Sequence, residues 1–169
     1  MCSSRAVAEG ASPSVMLWNT VADSNVRQSL IERLTALTPA TERRWGTLTA
    51  HEMLCHLGDA CEMVLRVRPR IKPVPLRRRP LLKWLALRMP NRWPRGVHTN
   101  PEQDPRLGGT RPSDFEFDRQ RVLTALHRLA HAEAATLEPA HGMLGIMSLR
   151  DWQRWAYKHT DYHLRQFGL

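Results

Sequence analysis

The stretch that decides the fold is SLRDWQRWAYKHTDYHLRQFGL, residues 148–169. Ser148 is a helix-capping residue, and nothing after it breaks a helix before Gly168. Each helical residue advances about 100°. Trp152, Trp155, His159, His163 and Gln166, spaced by three and four, therefore share one side. Two tryptophans mark that side as the one facing a core. A core-facing helix that carries two imidazoles raises a chemical question as well as a structural one.

Three further segments have the same period. Val26, Leu30, Ile31, Leu34 and Leu37 predict a helix from Asp23 to Leu37, closed by Thr38-Pro39 because proline cannot continue it. TAHE at Thr49 reads as a capping box. It opens a second helix with Met53, Leu57, Ala60 and Val64 on its apolar stripe. SDFE at Ser113 reads as another box, opening a third helix through Phe115, Val122, Leu126 and Leu129 to about Ala135. The helix from Ser148 is the fourth. No alternating strand pattern persists anywhere. Four helices with one long central crossover predict an all-α four-helix bundle.

The crossover, between the second and third helices, is rich in proline and arginine. A short helix is expected in PLLKWLALRM, with Pro80 in its first turn, and extended chain elsewhere. From Arg66 to Arg95 there are eleven Lys or Arg and no acidic residue, so the net charge of +9 belongs to this segment. Such a segment suits nucleic acid or an anionic membrane, with Trp84 and Trp93 among the cations. The plainer reading is a solvated loop whose arginines pair with acids elsewhere. A third is a rim of arginines that draws an anionic substrate to the site.

The 169 residues make one ordinary domain, expected over 16–169 after a disordered tail at 1–15. Cys2, Cys55 and Cys61 have no paired spacing, which points to a reducing, cytoplasmic setting. No run is long and apolar enough to span a membrane, and the N-terminus lacks a secretory h-region.

His159 and His163, four residues apart on one helix, have the spacing of a helical metal motif. They equally fit a pair of hydrogen-bonded core histidines. A metal site needs a third ligand, and His56, at the edge of the second helix's apolar stripe, is the natural source. Gln166, one turn beyond His163, is placed to orient an imidazole or a bound water, and equally fits a partly exposed residue at a fraying helix end. Glu52 is expected to be engaged by its capping box. His51 falls off the stripe, and Cys55 and Cys61 read as small buried apolar residues.

RWGTLTAHEMLCHLGDACEMVL, NRWPRGVHTNPEQDP and HGMLGIMSLRDWQRWAYKHTDYHLRQFGL together resemble the DinB-like (DinB/YfiT-like) superfamily of metalloenzymes, in an uncharacterised family within it, from about Arg44 to Leu169. The resemblance implies a bundle with up-down-down-up connections and a divalent metal, nickel, zinc or similar, held by His56, His159 and His163. It also implies a metal-dependent enzyme acting on a small molecule, a low-molecular-weight thiol or a hydrolysable substrate, in a fold that often forms homodimers. His141-Gly142 stands where the family often has His-Pro, leaving His141 as a pocket residue or a solvated turn histidine. The alternative is a non-enzymatic module that binds nucleic acid or membrane through residues 66–95.

Overall fold

The computed structural model describes residues 19–68, 75–89, 93–96 and 99–169. The expected tail at 1–15 and part of the basic crossover lie outside these residues. The described chain is mostly helical, with long loops between the helices. It contains α1 (Ser24–Ala36), α2 (Ala50–Val64), α3 (Pro80–Arg88), α4 (Phe115–Ala130) and α5 (Leu149–Gln166). Short 3-10 turns at Pro101–Gln103 and Ala134–Thr136 interrupt the loops. The third and fourth long helices of the sequence are thus α4 and α5, and α3 is the short helix of the crossover, with Pro80 in its first turn as expected.

Two boundaries differ from expectation. Ser113 does not cap α4; the carboxylate of Asp114 accepts from Phe117 N at 2.7 Å instead. That register puts Phe117 rather than Glu116 at the third helical position, so no capping box forms. An anion at this end also favours the positive pole of the helix. The helix then ends at Ala130, just past the last residue of its apolar stripe, and not near Ala135. The boxes at Thr49/Glu52 and Ser148/Asp151 do close.

No strand was expected, yet β1 (Ala140–His141) pairs antiparallel with β2 (Gly145–Ile146) just before α5. The hairpin is too short for a pattern of alternating residues to mark it. Arg78 of the crossover bridges to Gly145, and Ile146 N donates to Arg77 O at 3.0 Å. A side chain at Gly145 would stand 2.0 Å from that Arg77 oxygen, and its φ is +75°. Only glycine permits the approach.

Burial is concentrated on α2. Nearly every residue from Met53 to Val64 is buried, against only Leu30 and Leu34 on α1. α2 packs against α4, α5 and the 3-10 turn at Pro101–Gln103, while α1 packs against α4 and α5. Leu57, Val122, Leu126, Trp152 and Leu164 belong to the same continuous core.

A helix covered all round must satisfy its polar side chains inside the protein. Asp59, with no exposed surface, does so completely. Its Oδ1 accepts from Arg68 at 2.9 Å, Arg121 at 3.0 Å and the Thr110 hydroxyl at 2.6 Å, and its Oδ2 accepts from Thr110 N at 2.6 Å. Arg121 reaches Glu62 and Asp118 as well, and so ties α4 to α2. Asp59→Ala leaves two guanidinium groups without their shared anion. The expected loss is about 3–5 kcal/mol in urea unfolding, against well under 1 kcal/mol for exposed Glu32→Ala.

Candidate metal centre

α2 presents His56 and α5 presents His159 and His163 to one point. The centroids of their rings are 5.0 Å (56–159), 4.8 Å (56–163) and 4.9 Å (159–163) apart, a near-equilateral triangle. Each ring offers one ligand nitrogen within 4.8 Å of the others. The helical spacing of His159 and His163 therefore brings them together with His56, as expected.

The hydrogen bonds fix two tautomers. His56 Nδ1 lies 3.0 Å from the carbonyl oxygen of Gln103. A carbonyl only accepts, so Nδ1 carries the proton and Nε2 a lone pair. Gln166 Nε2 donates to Trp45 O at 2.8 Å, which turns Gln166 Oε1 toward His163 Nδ1 at 3.0 Å. His163 therefore also holds its proton on Nδ1, leaving Nε2 free for a ligand. This second bond depends on a close approach. A side chain at Gly46 (φ +81°) would fall 2.1 Å from Gln166 Nε2.

His159 is the residue that protein partners do not satisfy. Its Nε2 faces His56 Nε2 at 3.1 Å, and its Nδ1 is buried without a hydrogen bond. One proton between His56 and His159 can satisfy only one contact. A cation between the rings would instead accept the Nε2 lone pairs of all three and place the His159 proton on Nδ1. The residues present fit a metal ion on this count.

Electrostatics agree. Burial holds His56 below its ordinary range. Burial first, then the neighbouring histidines, holds His159 well below it. Burial, with His56 beside it, pushes His163 down to about 3. All three are neutral at physiological pH, the form that binds metal.

An aromatic wall surrounds the triad. Trp155 stacks on His159 at 4.7 Å, and Tyr162 meets His163 edge-on at 5.1 Å. Trp93 approaches His159 at 6.2 Å, and Trp45 approaches Tyr162 at 6.3 Å. His159, Trp45, Trp93 and Tyr162 are the partly exposed members, so theirs is the side of the site nearest solvent. Arg95 sits over the Trp45 ring at 4.2 Å and adds positive charge there.

Gln166, singled out by its spacing, is buried and bonded to His163 Nδ1. His141 stands apart on β1. Its Nδ1 accepts from Met143 N and Leu144 N, and its ring lies 5.9 Å from Trp152 and from Trp155. It braces the hairpin against α5. Gln103, Trp45 and Trp93 were not singled out as site residues from the sequence. Gln103 acts through its backbone, which no side-chain pattern encodes, and Trp93 read as part of a cationic surface. In the structure Trp93 turns inward, its Nε1 donating to Ala86 O at 2.8 Å.

His51, Cys55 and Asp118 form a second group with metal-ligand chemistry. Asp118 Oδ2 takes His51 Nε2 at 2.9 Å and the Cys55 thiol at 3.3 Å, while Oδ1 takes Arg121 at 3.0 Å. Cys55 is thus more than a small apolar filler. Burial alone would raise the Asp118 pKa, but the bonds from His51, Arg121 and Cys55 outweigh it and keep the carboxylate ionised. This group is charge-compensated and fully hydrogen-bonded without a metal, whereas the histidine triad leaves His159 Nδ1 without a partner.

No protein-family model, curated protein or solved structure matches the chain.

Two tests follow from these environments. Burial pushes the Cys55 and Cys61 thiols up to about 12. Neither should react with a disulfide reagent near pH 8 until the protein is unfolded. The triad sets a pH dependence. Its folded pKa values are depressed, so below about pH 6.5 the unfolded chain binds protons that the folded chain refuses. Stability is complete above that pH and falls as pH drops toward 3, the folded value of His163. Urea unfolding of metal-free protein should weaken by up to about 1.4 kcal/mol per pH unit for each histidine, and His159→Leu/His163→Leu should flatten the slope.

Proposed function

We propose that this chain is a divalent-metal-dependent enzyme acting on a small molecule, on a DinB-like four-helix bundle, with His56, His159 and His163 as the metal ligands. The observation that carries the reading is the convergence of three neutral imidazoles, two of them fixed by Nδ1 hydrogen bonds to present Nε2. Three nitrogen ligands suit zinc or nickel and leave positions open for water or substrate. When bound, such an ion lowers the pKa of a coordinated water or holds a substrate thiol as thiolate.

The remaining work falls to the chain itself. The Gln103 carbonyl and the Gln166 amide hold two imidazoles in the ligating orientation. Trp155 and Trp93 limit water around His159. Arg95 above Trp45 favours an anionic substrate on the side nearest solvent. Transfer or hydrolysis of a low-molecular-weight thiol compound matches this combination. Reduced, buried Cys55 and Cys61 suit a cytoplasmic setting, and none of the described helices is long and apolar enough to cross a membrane.

The purified, untagged chain should contain about one metal ion per molecule by mass spectrometry. His159→Ala/His163→Ala should contain none while circular dichroism keeps its helical signal. Gln166→Ala should keep the site and weaken metal affinity by about 10–100-fold. A parent protein that stays metal-free after incubation with nickel and zinc would overturn the reading.

A further inference from the structure

The exposed apolar surface of the described residues is uneven. Leu76 (64% exposed), Leu81 (69%), Trp84 (50%) and Leu85 stand on or beside α3, and Met143 and Ile146 stand on the hairpin next to it. The two elements are joined by the Arg78–Gly145 bridge, by Arg79 donating to Met143 O at 3.2 Å and by Lys83 donating to Ile146 O at 2.8 Å. The exposed apolar side chains thus lie on two directly joined elements. Scattered exposed leucines are ordinary, but a cluster of them marks an interaction surface.

α3 is anchored by its other side. Lys83 pairs with Asp151 at 2.8 Å, Lys158 donates to Ala86 O at 2.9 Å and Met89 O at 2.8 Å, and Leu87 is buried. Leu81, Trp84, Leu85 and Arg88 share the opposite, outward side at helical spacing. These contacts hold the helix from its inner side.

Charge selects the occupant. Arg77, Arg78, Arg79 and Arg88 are exposed around the cluster, and no ion pair holds any of them among the described residues. By contrast Arg66 pairs with Glu138 and Arg68 with Asp59. A second copy of the chain would set these cations against themselves. Nucleic acid would meet the arginines but leave aliphatic Leu76 and Leu81 in water. An anionic lipid surface accepts both, with apolar side chains entering the acyl boundary and guanidinium groups at the headgroups.

We infer that α3 and the neighbouring hairpin form a docking surface for an anionic membrane. The surface stands independently of the metal centre. Its inner side nonetheless connects there, because Trp93 bonds to Ala86 of α3 and lies against His159. Docking would place the solvent-facing side of the site close to the bilayer.

The test is flotation of the full chain with phosphatidylcholine vesicles, with and without phosphatidylglycerol. Binding to the phosphatidylglycerol vesicles alone, weakening with salt, is expected. Leu81→Ser/Trp84→Ser and Arg77→Glu/Arg78→Glu/Arg79→Glu should each reduce it by about tenfold or more, with metal content and circular dichroism unchanged. The inference is overturned by absence of vesicle binding, or by binding that Leu81→Ser/Trp84→Ser leaves intact. It is equally overturned if those serines dissociate a dimer, which makes the occupant a second copy. Tight binding to an oligonucleotide instead of to vesicles makes the surface a nucleic-acid site and overturns it too.

Discussion

The rest of the structure depends on α2 being buried on every face. A helix in that position can bring polar side chains into the core only if each finds a partner there. Asp59 finds two arginines and a threonine. Cys55 and His51 share Asp118. His56 finds the Gln103 carbonyl on one nitrogen and meets another imidazole on the other. These demands draw α4, α5 and the crossover around one helix, and they fix where the chemistry sits.

The two groups with ligand chemistry illustrate the difference between a satisfied and an unsatisfied interior. Around Asp118, a negative charge is matched by Arg121 and two further donors, so the protein alone completes the network. Around His159, three neutral rings turn toward one point, and one buried nitrogen has no hydrogen-bond partner. Buried groups left in that condition are costly. A cation is the simplest species that would use the three Nε2 lone pairs together, because imidazoles facing one another with lone pairs cannot.

The crossover is an integral part of the architecture. Its 3-10 turn supplies the carbonyl that sets the His56 tautomer, and Trp93 forms one wall beside His159. Thr110 closes over Asp59. Its basic residues divide by neighbourhood. Arg68 and Lys83 pair with acids of α2 and α5, and Arg66 with Glu138 of the loop before the hairpin, as a loop packed on the fold would require. Those on and before α3 remain at the surface beside exposed leucines.

The sequence by itself determined the helices and the members of the triad. Periods of three and four residues, caps at Thr49 and Ser148 and the prolines are local signals, and backbone geometry translates them directly into helices and faces. His159, His163 and Gln166 share a side for the same reason. Only the tertiary structure decided the remainder. The start of α4 moved to Asp114 because its carboxylate reaches Phe117 N. The hairpin was too short to carry a pattern. The Gln103 carbonyl, the Trp45–Gln166 bond and the Cys55–Asp118 contact join positions 47, 121 and 63 residues apart. Contacts of that kind follow from how buried helices pack, which no local spacing records.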